Sequence, residues 1–198
     1  MKKSIFLLVG IITLVVLQGC NGLEQSWDNI ASAFKGRSAT IQTYDEESQL
    51  IDQVKGSSID IKRDKSFDSS LDSKDSGVMK ISVGEHMIHH VGSSLIMYED
   101  GLYDVMTKKN ARVKIENYEK GTPLLNYFVH DFKNYFGRGA SKVIMIRSQN
   151  GSPLAIFSGE NISLFDTEIP KSTGFRIDGK YLFVYRCDYT VYDTALLK

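Results

Sequence analysis

The chain has 198 residues, only two cysteines, no excess charge of either sign and no hydrophobic run long enough to cross a bilayer. With only Cys20 and Cys187, it is not a disulfide-stapled scaffold. Lys and Arg number 24 and Asp and Glu number 24, which argues against the basic stripe of a nucleic-acid binder. The longest apolar run, Ile5 to Leu17, covers thirteen residues. A membrane-spanning helix needs about 20, and runs of about 10–14 more often form the core of a signal peptide. No internal repeat is visible, and there is no G-x-S-x-G. Gly92-Ser93-Ser94-Leu95 reads as a turn between strands, not the strand-to-helix elbow a nucleophilic serine needs.

What is present starts at the N-terminus. Lys2 and Lys3 form a positive region ahead of the apolar run and stay on the cytoplasmic side, directing the following chain outward. Leu17-Gln18-Gly19-Cys20 then resembles the lipobox of bacterial lipoproteins, departing from it at Gln18, where a small residue is more usual. The resemblance implies that residues 1–19 are a signal peptide and that a diacylglyceryl group is attached to the sulfur of Cys20. The domain would then be lipid-anchored on the extracytoplasmic face of the cell membrane. One acyl chain holds a protein marginally and two hold it stably, at ~0.8 kcal/mol per buried CH₂. Removing residues 1–19 leaves 179, a length that normally folds as one domain and buries roughly 70% of its unfolded surface. That domain, 20–198, carries 22 basic and 24 acidic residues once Lys2 and Lys3 are gone. With Cys20 lipidated, Cys187 has no partner for an intramolecular disulfide.

Residues 23–35 read as a helix, with Leu23, Trp27, Ile30, Ala31 and Phe34 at three- and four-residue steps and Gly36 at the C-cap. Its stripe can pack on the domain or lie in the lipid interface. From Arg37 the period becomes two. Strands are expected at 38–44, 49–54, 57–62, 78–83, 86–91 and 94–99, with Lys55-Gly56 as a turn and Gly84-Glu85 as a type II′ hairpin. Residues 63–77, rich in Asp, Ser and Lys without periodicity, read as a mobile loop. Short strands fit 102–106 and 111–115. Thr122-Pro123 opens an amphipathic helix over 123–136, with Leu125, Phe128, Phe132, Tyr135 and Phe136 on its apolar stripe. Further strands are expected at 141–147, 154–158, 161–166, 174–177, 180–187 and 189–192, with Asp178-Gly179 as a hairpin turn. The fold class is mostly β (α+β): an antiparallel β-sandwich or barrel of about ten short strands with one packed helix.

Five segments carry a second resemblance: Ile41-Gln42-Thr43-Tyr44-Asp45, His90-Val91-Gly92-Ser93-Ser94-Leu95-Ile96, Tyr98-Glu99-Asp100-Gly101-Leu102, Asn134-Tyr135-Phe136-Gly137 and Asp193-Thr194-Ala195-Leu196-Leu197. Over nearly the whole mature chain they resemble a family of uncharacterised lipoproteins from Gram-positive bacteria, a domain of unknown function. The resemblance implies a single extracytoplasmic domain and assigns no activity.

Candidate chemistry is sparse. His86, His89 and His90 lie within five residues, and on a strand His86 and His90 share a face. Two imidazoles so placed bind Zn²⁺ or Cu²⁺ when a third ligand arrives, and Met79, Met87 and Met97 would suit Cu(I); the alternative is a strand of ordinary half-exposed residues. His130 sits on the polar face of the 123–136 helix with Asn126 and Asn134. Asp68, Asp72 and Asp75 could supply Ca²⁺ oxygens but miss the D-x-D-x-D-G spacing. Cys187, in step with Phe183, Tyr185, Tyr189 and Val191, is expected to be buried and inert. Tyr98, Tyr103, Tyr118, Tyr127, Tyr135, Tyr181, Tyr185, Tyr189 and Tyr192 would suit stacking on carbohydrate or peptide where exposed, and half-buried sheet positions otherwise.

The expected function is a membrane-anchored cell-surface lipoprotein presenting a non-enzymatic binding or interaction module to a cell-wall polymer or another surface protein. A carrier of a small apolar ligand in a barrel cavity, and a metal-binding protein or hydrolase using His86 and His90, are the other readings. No cofactor is expected.

Overall fold

A computed structural model describes residues 30–108 and 140–196. The expected signal peptide, Cys20, His130, the 123–136 helix, the 111–115 strand and the first part of the 23–35 helix lie outside them. Within the described residues the chain is mostly β, with twelve strands: β1 (Ser38–Tyr44), β2 (Leu50–Ser57), β3 (Ile59–Arg63), β4 (Met79–Val83), β5 (His86–His90), β6 (Ser94–Glu99), β7 (Lys142–Arg147), β8 (Pro153–Gly159), β9 (Ile162–Phe165), β10 (Ser172–Ile177), β11 (Lys180–Tyr185) and β12 (Asp188–Asp193). Helix is limited to α1 (Ile30–Ala33), α2 (Val105–Lys108) and two 3-10 turns at Lys65–Phe67 and Thr194–Leu196. None of these is long and apolar enough to cross a membrane.

Six strands form a central antiparallel sheet in the order β2-β1-β6-β11-β10-β9, and two three-stranded sheets run β3-β4-β5 and β12-β7-β8. The expectation of a barrel is corrected: the central sheet ends at β2 and β9, which do not pair with each other, so nothing closes.

Both faces of the central sheet are covered along its middle strands β1, β6 and β11. Ile41, Leu95, Met97, Phe183 and Tyr185 share one core with Ile59, Ile61, Met79 and Ile81 of β3 and β4, together with Ile30 and Phe34. Tyr44, Ile96, Leu182, Val184 and Phe175 share another with Ile144, Ile146, Leu154 and Phe157 of β7 and β8. Successive side chains on a strand point to opposite faces, so alternation here sorts residues between two cores. That is why Leu95-Ile96-Met97 and Tyr181-Leu182-Phe183-Val184-Tyr185 read as unbroken apolar runs.

The hairpin signals hold. Gly84-Glu85 separates the paired Val83 and His86. A positive φ at Gly84 alone fits the II′ geometry, whereas Asp178 and Gly179 both have positive φ, the I′ pattern. Three local expectations are corrected. Residues 102–106 contain the start of α2 and no strand, because the side chain of Asp104 caps that helix. The strand expected over 180–187 ends at Tyr185, where the chain crosses between sheets. Arg186, at φ 51, turns the chain so that β11 stays in the central sheet while β12 pairs with β7. Lys55-Gly56 is interior to β2, with Gly56 opposite Ala39, and the turn comes instead at Ser58.

Gly56 serves close packing. A Cβ there would lie 2.1 Å from Cγ1 of Val83, a short β-branched side chain with little room to withdraw. Relieving a strand of a glycine ordinarily gains about 0.5–1 kcal/mol, but overpacking costs about 1–3 kcal/mol, so the clash wins. Gly56→Ala is expected to lower the urea midpoint, and adding Val83→Ala to recover part of the difference between the two backgrounds. A neutral Gly56→Ala would show that the two sheets can slide apart.

Candidate functional site

A cleft lies at the end of β3. Ile59 and Ile61 point into the first core, and the same two-residue step places Arg63 on that inward side. A cation at the rim of an apolar core has to be paired. Nη2 of Arg63 lies 3.0 Å from Oδ2 of Asp68 in an ion pair, with only 7% of each side chain exposed. Nε and Nη1 of Arg63 are shut off from solvent without any acceptor.

The other face of this small sheet is cationic. The antiparallel register sets Lys62 directly opposite Lys80, and Lys80 opposite His89. Like charges at such positions are about 4.5–5.5 Å apart at Cβ and repel. Asp60 accepts from Nζ of Lys62 at 3.1 Å, and Asp64 accepts from Nζ of Lys80 at 2.9 Å. His89 Nε2 stands 4.0 Å from the same Asp64 oxygen. Asp64, only 4% exposed, also caps the Lys65–Phe67 turn, with Oδ1 accepting from the Ser66 amide at 3.1 Å and its hydroxyl at 2.6 Å. The Ser66 hydroxyl, then Lys80, hold the Asp64 carboxyl down at about 2, from the ordinary 3.8.

Because the folded value lies below the ordinary one, Asp64 stabilises the fold above about pH 4, and that contribution is lost as pH falls through about 2. Ser66→Ala removes the foremost cause and is expected to move the Asp64 titration back toward 3.8, as followed by carbon-detected NMR of the side-chain carboxyl. An unmoved titration would mean that Lys80 alone sets it.

Lys62, Arg63, Lys65 and Lys80, against Asp64 and Glu168, surround a cavity of about 530 Å³ with Ile30 and Ile61 as apolar wall. A neighbouring cavity, also bounded by Arg63, Lys65 and Ser66, extends toward Asp68, Leu71 and Lys74. The segment expected as a mobile loop thus starts with a capped turn. Two of its acidic residues are already engaged: Asp68 accepts from the Ser76 amide, and Asp75 is held well below the usual carboxylate range by the Ser69 hydroxyl first, then the Ser69 amide and the Ser73 hydroxyl. Asp68, Asp72 and Asp75 do not form a calcium cage; among the described residues no three His, Cys, Asp or Glu side chains could hold a metal.

His86 and His90 share the inward side of β5, opposite Val83 and Met79, but different surroundings hold them. His90 Nε2 lies 3.0 Å from the carbonyl of Ser93, its ring edge-on to Tyr185, while His86 is exposed at the hairpin end. Met79 and Met97 are core residues and Met87 is exposed. Ser94 is buried and donates to the carbonyl of Arg186, tying the β5–β6 turn to the sheet crossing. Cys187 is half-buried, its Sγ donating to the carbonyls of Tyr185 and Leu95, and desolvation pushes the thiol up to about 12. It packs against the second core, unlike Phe183 and Tyr185. Tyr98, Tyr181, Tyr185 and Tyr189 make ring contacts within the fold, and Tyr103 is the one tyrosine of the described residues in the exposed class, at 62%.

Sequence reasoning missed the Arg63–Asp68 and Asp64–Lys80 pairs. The available signal was the step of two from Ile59 through Ile61 to Arg63, which put a cation where a third apolar residue was due. A second unread cluster joins Arg37 to Glu99 at 2.8 Å, with Glu99 accepting the Tyr181 amide and standing 3.8 Å from Nζ of Lys180. Arg37 also lies over the Tyr181 ring, so this cluster fastens β6 and β11 to the residue that precedes β1.

Comparison with curated proteins and with solved structures gives no match. A family model does match, over residues 2–197, and on that extent the chain belongs to the family described as Domain of unknown function (DUF5052).

Proposed function

We propose that this protein is a lipoprotein anchored to the outer face of a Gram-positive cell membrane through a diacylglyceryl group on Cys20, and that its domain is a non-enzymatic binding module. Two small sheets packed on either face of the central one make a layered β-sandwich in this reading, a rigid mount for a surface site. The observation that carries the binding role is the cleft of about 530 Å³ between β3, β4 and residues 167–168. Ile30 lines it, ten residues after Cys20. Ten residues span at most about 33–36 Å when extended. The cleft is therefore held near the bilayer, facing wall polymers or other surface proteins.

Intact mass and detergent phase partitioning of the native protein, beside a Cys20→Ala variant, test the anchor. The native protein is expected to have lost residues 1–19, to carry a diacylglyceryl mass and to enter the detergent phase, and the variant to stay aqueous. Equal partitioning of the two would remove the envelope reading.

A further inference from the structure

We propose that the cleft at the end of β3 is an oxyanion site, taking a phosphate group of its ligand between Arg63, Lys62, Lys65 and Lys80. The proposal deepens the binding-module reading by naming the chemistry its cleft recognises, and two independent features carry it. The first is the Arg63 guanidinium. It has five N–H donors, of which the one on Nε and the two on Nη1 have no acceptor in a place closed to water. Leaving a buried donor unpaired is unfavourable, and Asp68 engages Nη2 alone. An oxyanion entering the cleft as the surrounding lysines reorient supplies the missing acceptors and a second negative charge.

The second feature is the register. Lys62 and Lys80 are set opposite one another across β3 and β4, and both line the cavity with Lys65. Lys62, Arg63 and Lys80 are each paired already, with Asp60, Asp68 and Asp64. Lys65 forms no ion pair among the described residues. A phosphate between Lys65 and the opposed lysines gains charge-assisted hydrogen bonds stronger than neutral ones. Phosphate suits the site better than a single carboxylate because its oxygens can meet a guanidinium and ammonium groups from several directions. Ile30 and Ile61 offer an apolar wall for whatever carries the phosphate.

The test is titration of the full chain, in uncharged detergent at constant ionic strength, with inorganic phosphate. It is read by the Arg63 Nε–H resonance and by thermal melting, with chloride as control. Phosphate is expected to shift the Nε–H signal saturably and to raise the melting temperature. Lys65→Ala, at an exposed position, is expected to weaken half-saturation roughly tenfold, while Lys55→Ala, a charge of the same sign on β2 remote from the cavity, leaves it unchanged. A chloride response equal to that of phosphate, or equal losses in the two lysine variants, would reduce the effect to net charge and overturn the site. So would an Nε–H signal that does not move. Arg63→Lys is the second variant, retaining the charge and the Asp68 pair while losing the guanidinium donors, and it too is expected to bind more weakly. Vesicles bearing phosphatidylglycerol, compared with free glycerol phosphate, separate a lipid headgroup from a soluble source. Failure here leaves the Cys20 anchor standing, and failure of the anchor leaves the titration unaffected.

Discussion

Replacing Leu182 with alanine is expected to cost about 2–5 kcal/mol, and replacing its neighbour Phe183 about 3–5 kcal/mol. In a sheet with one wet face, one of two adjacent residues would tolerate the change. Here neither does, because Leu182 is in the core shared with β7 and β8, and Phe183 in the core shared with β3 and β4. Both are fully buried, and β11 has a neighbour on each side, β6 and β10, so the strand cannot shift to fill the void. Urea denaturation followed by circular dichroism measures both losses. Since a domain of this kind is stable by about 5–15 kcal/mol in total, the double variant is expected to be largely unfolded. A near-neutral result at either position would sink the two-core description.

Asp104→Ala is expected to cost about 3 kcal/mol or more. The carboxylate is buried, and it accepts the amides of Met106, Thr107 and Ile156 and the hydroxyl of Thr107. Burial pushes its carboxyl above the usual range against the pull of those donors. The loss of an N-cap alone costs about 1 kcal/mol, and each buried donor left without an acceptor adds about 1–3 kcal/mol. The Ile156 bond reaches β8, so the substitution also detaches α2 from the outer sheet. Asp104→Asn keeps the shape but offers an NH₂ where an amide or hydroxyl needs an acceptor, and it is expected to lose at least half as much. Hydrogen exchange at the Ile156 amide separates the local effect from the global one. Unchanged protection there in Asp104→Ala would overturn the assignment.

Much of the strand order was legible because turn chemistry and period agree. Gly84-Glu85 and Asp178-Gly179 stand where two-residue hairpins need them, and the strands on either side follow. The layering was harder to read. A run such as Val143-Ile144-Met145-Ile146 signals burial on both faces, but length and composition do not say what covers each face. Gly56 misled because a glycine needed for close packing is indistinguishable, in sequence, from one needed for a turn. The cleft was hidden for a further reason. Lys62 and Lys80 are 18 positions apart, and only the register of β3 on β4 makes them neighbours. The histidines attracted notice by crowding in sequence, yet the alternation of a strand and the differing environments of His86 and His90 keep them from acting together.

The position of β6 in the central sheet has a consequence for synthesis. It pairs β1 on one side and β11 on the other, so residues 95–98 wait for partners at 182–185. Those partners lie 84 to 90 positions further along the chain. Until they emerge, the nascent chain presents Leu95, Ile96, Met97 and Tyr98 as an open edge. Pairings this distant form slowly, and such edges seek strands of other chains. Production of this protein therefore favours slow translation or a holding chaperone, and chains stopped short of β11 become aggregates instead of smaller domains.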